Sequence, residues 1–109
     1  MPLIHRLDEL YKIVYLIGQK IPKRDRFGLH TKIESLCLDV LKRVITAAFE
    51  VKENKKSILS SARIEVEVLK RLIRTANELN VVQYKTYLDL EKRLQEISKM
   101  INGWIKYLQ

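Results

Sequence analysis

The chain has 109 residues, of which 47% are hydrophobic and 31% charged, and its formal net charge is +8. Its only cysteine, Cys37, excludes an internal disulfide and suits a reducing compartment. No apolar run approaches the roughly 18 residues that a membrane-spanning helix needs. We therefore expect one cytoplasmic domain with no membrane attachment. Its positive charge is spread over the folded domain, which indicates a polyanion as partner, with nucleic acid as the first candidate.

The first segment carries one apolar seam at steps of three and four, from Leu3 to Ile21. This spacing predicts a helix over about residues 2–20. Pro22 ends it, because proline pushes the preceding residue towards an extended conformation.

The stretch IPKRDRFGLHTK then places Lys23, Arg24 and Arg26 where a second helix should begin. A helix N-terminus already carries partial positive charge, so cations there are unfavourable by a few tenths of a kcal/mol. Two interpretations remain: a solvated corner, or a site where these cations and exposed helix amides meet an anionic partner such as RNA phosphate.

The second segment predicts a helix over about residues 24–52, with KENKK as the following turn and Ser57 as the next N-cap. Three further apolar residues, Leu38, Leu41 and Ile45, widen this helix beyond its core seam. Contacts with two neighbouring helices can bury part of such a wide surface, and an oligomer interface can bury the rest.

The third segment predicts a helix over about residues 57–79 with its core seam between Leu59 and Ala76. A second apolar row of Ile64, Val68 and Leu72 lies roughly opposite that seam, which predicts self-association. A basic strip lies between seam and row, and it is either a solvated surface or a phosphate-binding surface. The cations of this strip are Arg63, Lys70, Arg71 and Arg74.

The fourth segment predicts a helix over about residues 82–108, with Trp104 as a core anchor. Gly103 lies inside it, which indicates either close approach by a neighbour or fraying of the end. Four helices with such seams and short connections predict an all-α, up-down-up-down four-helix bundle. The extra apolar rows predict that bundles assemble into a ring-like homo-oligomer.

No motif for catalysis, metal binding or cofactor binding is present. His5 and His30 are isolated from each other, and we expect His30 on the surface of a first helical turn. Cys37 is more typical of a small buried residue than of a nucleophile. We therefore expect a non-enzyme without metal or cofactor.

Three stretches are similar to one family: YLIGQKIPKRDRFGLHTKIE, RLIRTANELNVVQY and EISKMINGWIKYL. Together they resemble the accessory variability determinant (Avd) proteins of diversity-generating retroelements, within a broader group that includes ribosomal intervening-sequence proteins. The closing GWI favours the retroelement branch. The intervening-sequence motif RRAxxSIPxNIAEG is absent from the corresponding stretch, KIESLCLDVLKRVITAAFEV.

This resemblance implies a basic homopentamer of four-helix bundles that binds the retroelement's reverse transcriptase and its template RNA. DNA is a second candidate for the bound nucleic acid. The polymerase would carry out the error-prone copying of template adenines, and this protein would be a scaffold. The alternative is a structural four-helix bundle that binds only protein. Salt sensitivity separates the two, because phosphate contacts weaken steeply as salt rises.

Overall fold

The computed structural model describes all 109 residues, as five helices without strands. Four of these helices are long and pack in a bundle of 44 × 21 × 20 Å. The helix that begins at Pro2 contacts the helices that begin at Leu29 and Tyr84, and the helix that begins at Lys52 contacts the same two. The predicted four-helix bundle is confirmed, while the ring-like assembly stays a prediction. In chain order the helices are α1 (Pro2–Gly18), α2 (Lys23–Arg26), α3 (Leu29–Phe49), α4 (Lys52–Glu78) and α5 (Tyr84–Leu108).

A single hydrophobic core runs through the bundle, and the seams read from the sequence line it. On α4 every seam residue from Leu59 to Ala76 is buried. The expected core anchor Trp104 is only partly buried, and the neighbouring Ile105 is buried instead. Val51 fits the spacing of the α3 seam but is exposed, because it lies in the link before α4. Trp104 still packs against the core, and the Lys55 ammonium lies 5.7 Å from its ring centroid.

The predicted helix over residues 24–52 is wrong at both ends. It is interrupted at Phe27 and Gly28, so that α2 is a single turn and α3 starts afresh at Leu29. Gly28 takes non-helical angles, φ −103° and ψ −107°, which turns the chain between the two helices. Lys23, Arg24 and Arg26 therefore lie on a short helix of their own, before α3.

The predicted KENKK turn is also wrong, as is the N-cap at Ser57. The chain reverses at Glu50 and Val51, which are both extended, and Lys52–Lys56 already belongs to α4. The polar run resembles a loop, yet Lys and Glu are good helix formers. Val51 is the N-cap, and it makes no capping bond through its side chain.

The link between α4 and α5 is fixed by a C-terminal cap on α4. Asn80 takes a positive φ of 62°, which asparagine tolerates better than most residues. The Val81 amide then donates to the Ala76 carbonyl at 2.8 Å and the Asn80 amide to the Asn77 carbonyl at 3.0 Å. This is the Schellman arrangement with asparagine in the usual glycine position.

Gly103 is exposed, and a Cβ added there would meet no atom within 4 Å. Close approach by a neighbouring helix of the same chain is therefore not the reason for this glycine. The residue also lies inside α5, which continues to Leu108.

Candidate nucleic-acid interface

The basic strip follows the outer surface of α4, and its part from Lys70 to Arg74 lies beside α5. Arg63, Arg71 and Arg74 are exposed, and Lys70 is half-buried. The Lys70 ammonium lies 3.2 Å from the Glu67 carboxylate, so one of the four cations is already paired within the helix. The other three have no carboxylate within salt-bridge distance and are accessible to an anionic partner.

A groove between α4 and α5 brings part of this strip together with residues that sequence analysis missed. Lys70, Arg71 and Arg74 line it from α4, and Tyr87 and Glu91 line it from α5. The spacing of Tyr87 fits the apolar seam of α5, so the sequence indicates only a core residue at this position. Its ring does pack against the core, but it also lines the groove beside the cations. Only the packing of α5 against α4 could reveal this.

The second basic cluster lies on α2. The Lys23 and Arg24 side chains are exposed, and the Arg24 side chain reaches 95% exposure. Asp25 directly follows Arg24 in the sequence, and its carboxylate lies 3.9 Å from Arg24 Nε, a weak contact in solvent. The connection between α3 and α4 makes these helices antiparallel, so α2 and Arg74 lie towards the same end of the bundle.

Arg26 differs from its two neighbours because its guanidinium is engaged with the backbone. Its Nε donates to the Gly18 carbonyl at 2.9 Å and its Nη2 to the Ile21 carbonyl at 3.3 Å. These carbonyls lie at and just beyond the end of α1, where helical partners run out. A cation there also complements the helix dipole. Arg26 thus has a structural role that its place in the basic stretch did not indicate.

The expectation that His30 lies on the surface is wrong, since the side chain is 1% exposed. Its Nε2 lies 2.7 Å from the Val14 carbonyl and 3.2 Å from the Glu34 carboxylate, and both neighbours are acceptors. Nε2 therefore carries the proton and donates to Val14. The sequence signal was Gly18: a Cβ there would come within 2.8 Å of the imidazole, so glycine makes room for His30.

The apolar rows are buried in part and exposed in part. Leu41 and Leu72 pack against the core, as contacts with two neighbouring helices allow. Ile64 is 62% and Val68 44% exposed on α4, and Leu38 and Ile45 are also exposed. The bundle by itself therefore leaves two aliphatic residues of each row in contact with solvent.

Cys37 is buried on α3, as expected for a small packed residue. Burial, with a smaller contribution from the nearby Glu34 carboxylate, raises the pKa of its thiol from 9.0 to about 12. The thiol is thus neutral in the folded protein at ordinary pH. No group of three His, Cys, Asp or Glu side chains could hold a metal ion. No helix is both long and apolar enough to cross a membrane.

These features define the class: a small basic four-helix bundle whose outer surface carries free cations and aliphatic rows. A family model described as bAvd-like matches residues 1–108. The chain therefore belongs to the bAvd-like family, and the resemblance to Avd proteins is confirmed. Membership supports a role as an accessory protein of diversity-generating retroelements. In a comparison with curated proteins, none matched.

Proposed function

We propose that this protein is a non-enzymatic accessory subunit of a diversity-generating retroelement. In this role it binds the reverse transcriptase and the template RNA in the cytoplasm and supports mutagenic copying by the polymerase. The observation that carries the proposal is the family match over residues 1–108. The net charge of +8 and the free cations on α4 are consistent with it.

The α4 strip is the first candidate for RNA binding. Arg63, Lys70 and Arg74 span about 16 Å along the helix at 1.5 Å per residue. A strip of this length can follow several phosphates of one strand. Contacts of this kind are largely independent of base sequence, and they release counterions, so affinity falls as salt rises.

Self-association is the second part of the proposal. The exposed Ile64 and Val68 on α4, with Leu38 and Ile45 on α3, supply aliphatic surface for contacts between copies. Symmetric copies would repeat the basic strip around an axis and enlarge the positive surface. We propose a homopentamer, following the Avd resemblance.

The RNA contact is tested by changing Arg63, Lys70 and Arg74 together to glutamine. We expect weaker binding of a generic RNA, and a log–log salt slope flatter by about two to three units, because three phosphate contacts are lost. Fluorescence anisotropy over a salt series measures both. The matched control replaces the exposed Lys12, Lys99 and Lys106, which removes the same charge elsewhere. Equal affinity and slope in the two variants would overturn the strip assignment.

The two exposed cations of α2 are tested separately by the double change Lys23→Gln and Arg24→Gln. Arg26 stays unchanged, because its guanidinium holds the end of α1. A flatter salt slope would place α2 in the RNA-binding surface. An unaltered slope would leave the α4 strip as the phosphate contact and make α2 a solvated corner.

The assembly is tested by light scattering of the unchanged protein and of a variant with Ile64→Lys and Val68→Lys. We expect a mass near five subunits, and dissociation of the variant, because two charges would enter an apolar interface. Circular dichroism checks that the variant remains helical. If the unchanged protein is monomeric and does not bind RNA, the proposed role is overturned. If it binds only protein partners, and binds them independently of salt, the structural alternative is favoured.

A further inference from the structure

A cleft opens at the corner where α1, α2 and α3 meet. Tyr15 and Gln19 line it from α1 and the following link, Arg26 and Phe27 from α2 and its C-cap, and Glu34 from α3. The α4 strip and the exposed aliphatic rows lie outside this cleft. Its lining combines two aromatic rings, a guanidinium and a carboxylate within one small concave surface.

Both aromatic rings are exposed to solvent. Phe27 is 67% exposed, and it is not among the side chains that pack against the core. Tyr15 is 50% exposed and contacts Tyr11, whose ring centroid lies 6.3 Å away. The core does not account for a phenylalanine in this position. Exposed aromatic rings beside cations are the surfaces on which proteins stack unpaired bases.

The cleft is held in shape by bonds that do not depend on a ligand. Arg26 is fixed by its two backbone acceptors, and Thr31 Oγ1 donates to the Arg26 carbonyl at 2.6 Å. Gly18, which also lines the cleft, packs directly against the buried His30 ring. A ligand entering here would not need to order the backbone around it, which lowers the entropic cost of binding.

The carboxylate of Glu34 decides which part of a nucleotide enters. Its Oε1 contacts His30 Nε2 at 3.2 Å, while its side chain remains partly exposed to the cleft. An ionised carboxylate only accepts hydrogen bonds, so it repels phosphate and takes N–H groups. Guanine fits best, since its Watson–Crick edge presents two adjacent N–H donors. Phosphates would instead meet Lys23 and Arg24, which are exposed on α2.

We propose that this corner is a binding site for an unpaired guanine of single-stranded RNA. The base stacks on Phe27 and Tyr15 and donates to Glu34, while the neighbouring phosphates contact Lys23 and Arg24. The inference rests on the proposed RNA-binding function and adds to it a preference for single strands. It also assigns a use to the basic stretch before α3.

The test compares two RNA probes on the full-length protein: a U-rich single strand of about ten nucleotides with one central guanine, and a hairpin duplex. For Phe27→Ala we expect about 5- to 100-fold weaker binding of the single strand, the range of one lost stacking contact. Duplex affinity should stay unchanged, because a duplex keeps its bases stacked. Phe27 is exposed, so this variant should fold normally.

Tyr107→Ala is the control, since this aromatic side chain is also exposed and lies near the end of α5, outside the cleft. If Phe27→Ala and Tyr107→Ala bind the single strand equally well, the base site is overturned. That outcome leaves the proposed function standing as long as the unchanged protein binds both probes. Failure of the unchanged protein to bind either probe would overturn the proposed function and the base site together.

The choice of base is tested by replacing the central guanine with inosine, which lacks the 2-amino group, and by Glu34→Gln. We expect the unchanged protein to bind the guanine probe more tightly than the inosine probe, and Glu34→Gln to reduce that difference. Equal affinity for the two probes would overturn the assignment of guanine.

Discussion

The corner around α2 and the outer surface of α4 are both basic, but their cations have different surroundings. At the corner, Arg26 is bound to the end of α1, and the chain packs tightly around Gly18 and His30. On α4, Arg63 and Arg74 extend from a regular helix with no carboxylate within salt-bridge distance. Positive charge in the sequence therefore has at least two uses here, one in stabilising the fold and one in presenting a surface.

Local composition does not reveal the function of an arginine. Arg24 and Arg26 are two residues apart, yet one is solvated and the other holds a helix end. What separates them is the direction of each side chain on one helical turn. Changes at Gly18 and Arg26, which are packed or bound to the backbone, should therefore affect stability, and changes at the exposed cations should affect binding.

Alanine at Gly18 and alanine at Gly103 should change the free energy of unfolding in opposite directions, and the change at Gly18 is the largest that we expect. Gly18→Ala would bring a Cβ within 2.8 Å of the His30 ring, which is fixed by its bond to Val14. We expect the free energy of unfolding to fall by about 1–3 kcal/mol, as for other overpacked cores. Urea denaturation measures it. Gly103→Ala is the control, and it should gain up to about 1 kcal/mol because alanine favours the helix and meets no atom.

A loss of stability in Gly103→Ala would contradict this comparison. It would mean that a second copy approaches α5 closely at Gly103. Repeating the measurement at low protein concentration checks this, because contact with a second copy depends on concentration.

A second effect concerns pH and Cys37, which lies near Glu34 at the corner. The thiol pKa is raised from 9.0 to about 12 in the folded protein, so the unfolded chain loses this proton first. Stability from this group is complete below about pH 8, and it falls by about 1.4 kcal/mol by about pH 10. Urea denaturation at the two pH values, compared with Cys37→Ala, isolates the contribution. Equal pH dependence in the two proteins would contradict it.

The smallest effect tests the two arginines directly. Arg26→Met removes both bonds to the backbone while keeping an apolar stem, and we expect a loss of about 1 kcal/mol. Arg24→Met should change stability by less than about 0.5 kcal/mol, because that side chain is solvated. Thermal denaturation compares the two. Equal losses would contradict the assignment of Arg26 as the residue that holds the end of α1.

Much of the fold follows from spacing alone. Steps of three and four place Leu59, Leu69 and Ile73 on one side of a helix, and that side can be stable only when buried. The four-helix bundle followed from this pattern. The helix ends were less predictable, because KENKK has a polar composition that loops and exposed helices share.

The candidate site was predictable only in part. The cations of α4 follow from helical geometry, and the structure leaves Arg63, Arg71 and Arg74 exposed. Tyr87 beside Lys70 and Arg74, and Phe27 beside Glu34, depend on how separate helices meet. The spacing of apolar residues within one helix does not determine which residues of two helices lie side by side.

Periodicity, composition and order along the chain already specify an all-helical basic bundle, its core seams and its family. The folded chain adds the burial of His30, the bonds of Arg26 to the end of α1, and the cleft that Phe27 and Glu34 share. These properties arise from contacts between helices. Such contacts depend on the direction of each side chain after packing.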